Sequence, residues 1–220
     1  MANDRDYQVT LLSKEEDDLF EDEWDAFVTK HFKSRETVDV FQNHKEAIKE
    51  ACRIAKYQLE ASFGGINANT NEFGWMPIMP NFLLATSTPT YETSTWKQYI
   101  STEDVTNRWK DWIGTSESNL KLSDNASLIM IGFADPSDEP KVDAIQAKVK
   151  SSNYPIWYFG DMMRNTDYSV YELTVPPIIE PGQEFYLQQL CGRAGVSEIH
   201  PLGVYFAKGD HMRNQGAHAQ

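Results

Sequence analysis

At 220 residues, 40% hydrophobic and 24% charged, the chain has the composition of a folded protein that buries its own core, which excludes disorder as the expectation. Its 33 acidic against 20 basic residues leave a formal net charge of −13, which opposes sequence-independent binding to nucleic acid, because that affinity comes from lysine and arginine displacing counterions at phosphates. No stretch approaches the roughly 18 apolar residues of a membrane span, and Met1-Ala2-Asn3-Asp4-Arg5 lacks the apolar core of a secretory signal, so the expectation is a soluble chain.

Two helices open the chain. Ser13-Lys14-Glu15-Glu16 has the form of a capping box, and Phe20, Trp24, Phe27 and His31, with Val28 beside them, recur at helical spacing. Glu15, Glu16, Asp17, Asp18, Glu21, Asp22, Glu23 and Asp25 crowd its first turns; a solvated face that suits the helix dipole is the first reading, and a partner-docking surface the second. Across residues 37–61, Phe41, His44, Ile48, Cys52, Ala55 and Leu59 form one stripe, which predicts a single second helix ended by Gly64-Gly65. Two amphipathic helices in succession predict a hairpin that covers a sheet or a sheet edge.

Residues 66–95 turn to Asn, Gly, Pro and Thr, the composition of a long surface excursion with one strand, Phe82-Leu83-Leu84-Ala85-Thr86, inside it. Trp96-Lys97-Gln98-Tyr99-Ile100 alternates as a strand. Ser101-Thr102-Glu103-Asp104 then predicts a short helix with Val105, Trp109, Trp112 and Ile113 on one face and Gly114 as its stop. Residues 127–133 are a nearly continuous apolar run, the pattern of a buried strand; Ile145, Ala147 and Val149 alternate with Gln146, Lys148 and Lys150. Residues 154–159 read as a further strand near an edge, because of Pro155.

The run Ser169-Val170-Tyr171-Glu172-Leu173-Thr174-Val175 stops at Pro176-Pro177. Glu180-Pro181-Gly182-Gln183 carries the residues of a type II turn, with glycine where φ must be positive, so the next run returns beside or across from the one before. That run, residues 184–190, puts Phe185 and Leu187 on one face and Tyr186 and Gln188 on the other, and after a loop with Gly192 and Gly195 residues 202–207 complete the set. Roughly eight strands separated by turns predict a mainly β chain with N-terminal helices, an antiparallel sandwich or barrel. The expected division is a helical segment at 1–65 packed on a β domain at 66–208, followed by a polar tail at 209–220 without structure.

Chemistry-bearing motifs are sparse. His31, His44, His200, His211 and His218 show no metal-ligand spacing, and neither a serine nucleophile elbow nor a phosphate loop occurs. Cys52 and Cys191 sit inside apolar runs and read as free buried thiols. Asp135-Pro136-Ser137-Asp138-Glu139-Pro140 gathers Asp135, Asp138 and Glu139 as calcium candidates, although proline-punctuated turns explain the same residues more simply. Trp75, Trp96, Trp109, Trp112 and Trp157, with Tyr91, Tyr99 and Tyr158, suit either a sugar-stacking platform or, more commonly, core and interface packing. An enzymatic reading needs a carboxylate pair such as Asp161 and Glu172 across one cleft and ranks last.

The closing pattern, Val175-Pro176-Pro177, then Ile178-Ile179-Glu180-Pro181-Gly182-Gln183-Glu184-Phe185, then a final strand over 202–207, resembles the late strands of jelly-roll coat proteins of icosahedral viruses over about the last quarter of the chain. The resemblance implies a single jelly roll, with a helical hairpin and a short inserted helix, that self-assembles into a shell with copies of itself and other virion proteins. It implies a non-enzymatic capsid subunit without cofactor or metal, soluble in the host cytoplasm before it enters the virion. Many such coats carry a basic N-terminal arm that this chain lacks, so direct genome binding is not expected. Phe20, Trp24, Phe27 and Val28 are then the candidates for subunit contacts. The alternative from a different class is a carbohydrate-binding β-sandwich that uses surface tryptophans.

Overall fold

The computed structural model describes residues 12–83, 95–115, 120–149, 152–159 and 169–217. In chain order its elements are α1 (Lys14–His31), α2 (Arg35–Asn43), α3 (Lys45–Gln58), β1 (Ser62–Phe63), a 3-10 turn (Gly65–Asn67), β2 (Glu72–Pro77), α4 (Pro80–Leu83), β3 (Lys97–Ile100), α5 (Thr102–Asn107), β4 (Trp109–Ile113), β5 (Leu120–Lys121), β6 (Ala126–Asp135), β7 (Val142–Val149), β8 (Ser152–Asn153), β9 (Trp157–Tyr158), β10 (Ser169–Glu172), β11 (Ile178–Ile179), β12 (Glu184–Cys191), β13 (Gly195–Glu198), β14 (His200–Lys208) and α6 (Gly209–Ala217).

The strands form two sheets and a ribbon. The first sheet runs β1-β2-β14-β6-β10, with β11 also on β6; the second runs β4-β12-β7-β8, with β5 on β12 and β9 on β7; β3 and β13 form the ribbon. Among the described strands every pairing is antiparallel except β1 with β2. The pairing is nested about the β7–β8 turn. β7 pairs with β8 in the second sheet, β6 with β10 in the first, β4 with β12 in the second and β2 with β14 in the first, so each step outward along the chain changes sheet.

β6 explains why residues 127–133 are apolar without alternation: both faces of this strand are covered. Leu128, Met130 and Phe133 join Ile145, Ala147, Phe185 and Leu187 in the core between the sheets, whereas Ile129 and Ile131 turn to the other side. Leu202 is registered with Gly132 and Gly203 with Met130, which leaves Ile131 as the extra residue of a β-bulge. The bulge returns Phe133 to the side of Leu128 and Met130 despite their odd spacing. In the second sheet Phe185 and Leu187 face inward, while Gln188 on the outer face donates to Asp111 Oδ1 at 2.9 Å, and the register against β4 shifts between Leu187 and Gln188.

α1, α2 and α3 cover the outer face of the first sheet, giving the order helices, sheet, sheet. Phe20, Trp24, Phe27 and Val28 of α1, Phe41 of α2 and Ile48 and Cys52 of α3 share one core with Trp75, Ile129, Val204 and Phe206 of the strands. The Phe20 and Phe27 rings lie 5.4 and 6.3 Å from Trp75, a tilted and an edge-on contact. The capping box forms as the sequence predicts: the Glu16 N–H donates to Ser13 Oγ at 3.2 Å and the Ser13 N–H to Glu16 Oε2 at 2.9 Å. The acidic face of α1 divides. Lys49 Nζ lies 2.6 Å from Asp17 Oδ1 and 2.9 Å from Glu21 Oε1, Lys56 Nζ 2.6 Å from Glu16 Oε2, and Lys45 also pairs with Glu21, while Glu15, Asp18, Asp22 and Asp25 stay exposed. Glu23 Oε2 accepts from the Ile66 N–H at 3.0 Å, and a side chain at Gly65, whose φ is +59°, would strike that carboxyl.

Several local expectations are corrected. The second helix is two helices, α2 and α3, meeting at His44. α3 ends at Gln58, closed by Glu60 rather than by Gly64-Gly65: Glu60 takes φ 48°, its N–H donates to the Tyr57 carbonyl at 3.1 Å, and the Ala61 N–H donates to the Lys56 carbonyl at 3.2 Å, a Schellman closure without glycine. Phe82 and Leu83 lie in α4, begun by Pro80, not in a strand; residues 84–86 of that expectation fall outside the described residues. The helix opened by Ser101 ends at Asn107, because Arg108 takes φ 73° and the chain continues as β4 beside β12. Residues 209–217, expected as unstructured tail, form α6, anchored by buried Met212 and by a 3.1 Å contact between Tyr205 Oη and His211 Nε2. The Glu180–Gln183 turn forms as expected, with Gly182 at φ 71° and the Gln183 N–H donating to the Glu180 carbonyl at 3.1 Å. The result is a mainly β chain with sandwiched sheets and N-terminal helices. No described helix is long and apolar enough to cross a membrane.

Candidate functional site

The residues singled out in the sequence do not converge. Phe20, Trp24, Phe27 and Val28 are at most 1% exposed, because the first sheet of the same chain supplies their apolar partner, one of the two partners that the sequence left open. The stripe is thus covered within the chain rather than offered to a neighbour. Asp135 ends β6 and its Oδ1 accepts from the Ser137 N–H at 2.9 Å, whereas Asp138 and Glu139 are exposed and Glu139 Oε2 accepts from Lys141 at 3.0 Å. The Lys141 ammonium holds the Glu139 carboxyl below its usual range. The loop is built by an Asp-Pro turn and a neighbouring ion pair, and its three carboxyls do not form a calcium cradle. Among the described residues no group of three or more metal-ligating side chains comes together.

Three of the tryptophans are absorbed by packing. Trp75 lies between the helices and the first sheet; Trp96 and Trp112, with ring centroids 6.2 Å apart, are buried between the sheets, and Trp157 packs partly buried against the same core. A sugar-stacking platform needs exposed faces. Trp75, Trp96 and Trp112 do not offer them, whereas Trp109 is half-buried and Tyr99 and Tyr158 are exposed. Tyr91 and Asp161 lie outside the described residues. Glu172 Oε1 lies 3.1 Å from His44 Nε2, and Glu172 Oε2 accepts from Asn43 Nδ2 at 3.4 Å, so this carboxyl ties β10 to the junction of α2 and α3. Both thiols are buried and free, as the sequence predicts; burial raises Cys52 well above its ordinary value and Cys191 to about 11, which leaves neither as a ready nucleophile.

Two further features stand out, of which only the cavity had no sequence signal. The first is a cavity of about 350 Å3 at one end of the first sheet, walled by the α1–α2 connection, the end of β6 and the start of β14. Phe32, Trp96 and Leu202 supply apolar wall, and His31, Asp135 and His200 polar wall. Asp135 is 2% exposed, and its Oδ2, shut off from solvent, has no hydrogen-bond partner. His200 Nε2 lies 3.0 Å from Glu198 Oε1, and Lys33 Nζ donates to the Thr29 carbonyl at 2.9 Å. Burial, reinforced by Lys30 and Lys33, lowers the His31 pKa and favours its neutral ring. Positions 31, 135 and 200 belong to three elements far apart in sequence, and no spacing rule connects them.

The second feature is the β3–β13 ribbon. Tyr99 is registered directly opposite Val196, and the two are 65% and 58% exposed, an apolar cross-strand pair turned to solvent. Gln98 Nε2 donates to the Asp111 carbonyl at 3.2 Å and fixes the ribbon to β4. Against this geometry the chain was compared with protein-family models, curated proteins and solved structures, and none of the three comparisons returned a match.

Proposed function

We propose that this chain is a virion structural protein, a single jelly-roll capsid subunit that assembles with copies of itself into a shell. The observation that carries the reading is the nested pairing of strands. Taken in chain order, β2, β4, β6, β7, the β8–β9 segment, β10, β12 and β14 change sheet at every step except between β7 and β8, in the orders β2-β14-β6-β10 and β4-β12-β7-β8. A long antiparallel hairpin rolled into a sandwich has that order, which supports the jelly-roll reading. Jelly rolls also occur in lectins and enzymes, so the shell reading leans on two further observations. Trp75, Trp96 and Trp112, three of the tryptophans a sugar-binding sandwich would display, are buried, and the apolar Tyr99–Val196 pair stands uncovered on the ribbon.

On this reading the protein works by association rather than turnover, and its partners are its own copies and other virion proteins. The net charge of −13 makes copies repel one another, and salt screens that repulsion as the Debye length shortens from about 30 Å at 0.01 M to about 3 Å at 1 M. Size-exclusion chromatography with light scattering, followed by negative-stain microscopy across that salt range, tests the proposal. Closed or sheet-like assemblies favoured at high salt are expected; a strict monomer at high concentration throughout would sink it.

A further inference from the structure

We infer that the outer face of the second sheet binds a short, neutral, extended oligosaccharide, a ligand that adds to the shell reading and does not depend on it. Strand register places the site. Trp109 of β4 is directly opposite Leu190 of β12, Leu190 opposite Ala144 of β7, and Ala144 opposite Tyr158 of β9, so the four side chains form one row across the sheet. Leu187 and Ile145 point into the core between the sheets, which puts this row, of opposite parity on β12 and β7, on the outside. None of the four joins either core: Leu190 and Ala144 are covered in the middle of the row, while at its ends Trp109 is half-buried and Tyr158 is 44% exposed.

The next row along the strands is polar. Asp111, Gln188 and Gln146 are registered side by side and half-buried; Gln188 donates to Asp111 Oδ1 at 2.9 Å, and Gln146 Nε2 donates to the Tyr154 carbonyl at 3.3 Å. Lys148 and exposed Asn153 follow in the row after that. An apolar partner laid on this face takes water from amides and charges without replacing it, which is costly. A pyranose has an apolar C–H face and a rim of hydroxyls that donate and accept, so it stacks on a ring while its rim meets the amides. Neighbouring strands are about 4.8 Å apart, so Trp109 and Tyr158, on β4 and β9 with β12 and β7 between them, are anchored about 14 Å apart, the length of about three sugar rings. Two anchors at that distance on an open face select an extended, β-linked chain over a coiled one. The net charge of −13 repels acidic glycans, which selects a neutral one.

Cellotriose is the probe and maltotriose, the same glucose units in a coiled linkage, its control, each titrated at millimolar concentration into the full-length protein at low salt and followed by calorimetry and amide chemical shifts. Saturable cellotriose binding is expected, with shifts centred on Trp109, Gln188 and Tyr158, and weaker binding of maltotriose. Trp109→Ala and Tyr158→Ala should each weaken cellotriose about tenfold, the order of one lost aromatic contact, while Tyr158→Phe, which keeps the ring, should bind as the unmodified protein does. Tyr158 is exposed, so its variants keep the test decisive if Trp109→Ala does not fold. No saturable binding, equal affinity for maltotriose, shifts centred on Tyr99 and Val196 instead, or unchanged affinity in Tyr158→Ala overturns the inference and leaves the row to a contact with another copy. The titration is read on the unassembled chain, so its failure leaves the shell proposal standing, and a failure to assemble leaves the sugar site standing.

Discussion

His44 occupies the junction of α2 and α3 and is 9% exposed, so its ring must lose most of its water on folding. Burial lowers its pKa from an ordinary 6.5, and the nearby Glu172 carboxyl pulls the other way without reversing the shift. A depressed folded pKa means that the unfolded chain binds the proton more readily. The stability contribution is therefore complete above about pH 6.5 and is lost as pH falls through the lower folded value. The melting temperature should fall on acidification from pH 7 to about 5, and His44→Gln should flatten that part of the curve; His31 and His211, also lowered by burial, account for the rest. An unchanged slope in the variant would show that His44 is not a titrating group of this window. The ion pairs between α1 and α3 act elsewhere on the pH axis. Lys45 and Lys49 hold Glu21 below its ordinary 4.5, and Lys56 and the Ser13 N–H do the same for Glu16 against the opposing effect of burial, so their support persists until the pH drops below about 4.5.

The helical layer is part of the fold rather than an attachment to it, and Trp24 measures this. Its ring has no solvent exposure, stacks 5.4 Å from Phe20 and donates through Nε1 to Gln42 Oε1 at 3.1 Å. Trp24→Ala should cost the isolated subunit about 3–5 kcal/mol, read as a lower denaturation midpoint; a subunit of unchanged stability would contradict the packing. The end of α3 predicts the opposite sign. Glu60 holds a left-handed conformation that disfavours any side chain, so Glu60→Gly should stabilise the chain by about 0.5–1 kcal/mol, after the added freedom of the unfolded state is subtracted, and a lower midpoint would refute this. These two positions also mark what periodicity reveals and what it does not. α1, β7, β12 and the turn at Gly182 could be read directly, since one face of each is apolar or one residue fixes φ. The stretch from Val105 to Ile113 misled, because its apolar spacing fits a helix while pairing of β4 with β12 and the left-handed Arg108 turn it into a strand. α6 was hidden because Met212, the one buried side chain described in it, makes no stripe. The bulge at Ile131 was hidden because a strand buried on both faces has no alternation to shift. The cavity was hidden because His31, Asp135 and His200 meet only through the tertiary fold.

Nested pairing and layering together decide which surfaces are free to meet another copy. The first sheet is covered on one side by helices and on the other by the second sheet, so its apolar residues are spent within the chain. On the outer face of the second sheet Gln188 donates to Asp111 and Lys148 Nζ lies 5.2 Å from the Tyr186 ring, with Tyr158 of β9 44% exposed beside them. The ribbon differs: Tyr99 and Val196 oppose each other across β3 and β13 and remain more than half exposed, so covering them releases water without first disrupting the subunit. Replacing both by aspartate tests whether this pair is an assembly contact. Surface changes of this kind usually alter subunit stability by no more than about 0.5 kcal/mol, whereas two carboxylates at the centre of a contact carry a desolvation penalty and add like charge to a chain already at −13. On the proposed shell reading, the double variant Tyr99→Asp, Val196→Asp should therefore melt like the unmodified chain at low salt and stay monomeric by light scattering at the high salt at which that reading expects the unmodified protein to assemble. Assembly that proceeds normally in the variant would exclude the ribbon as the contact while leaving the strand order, and the search for another surface, unaffected.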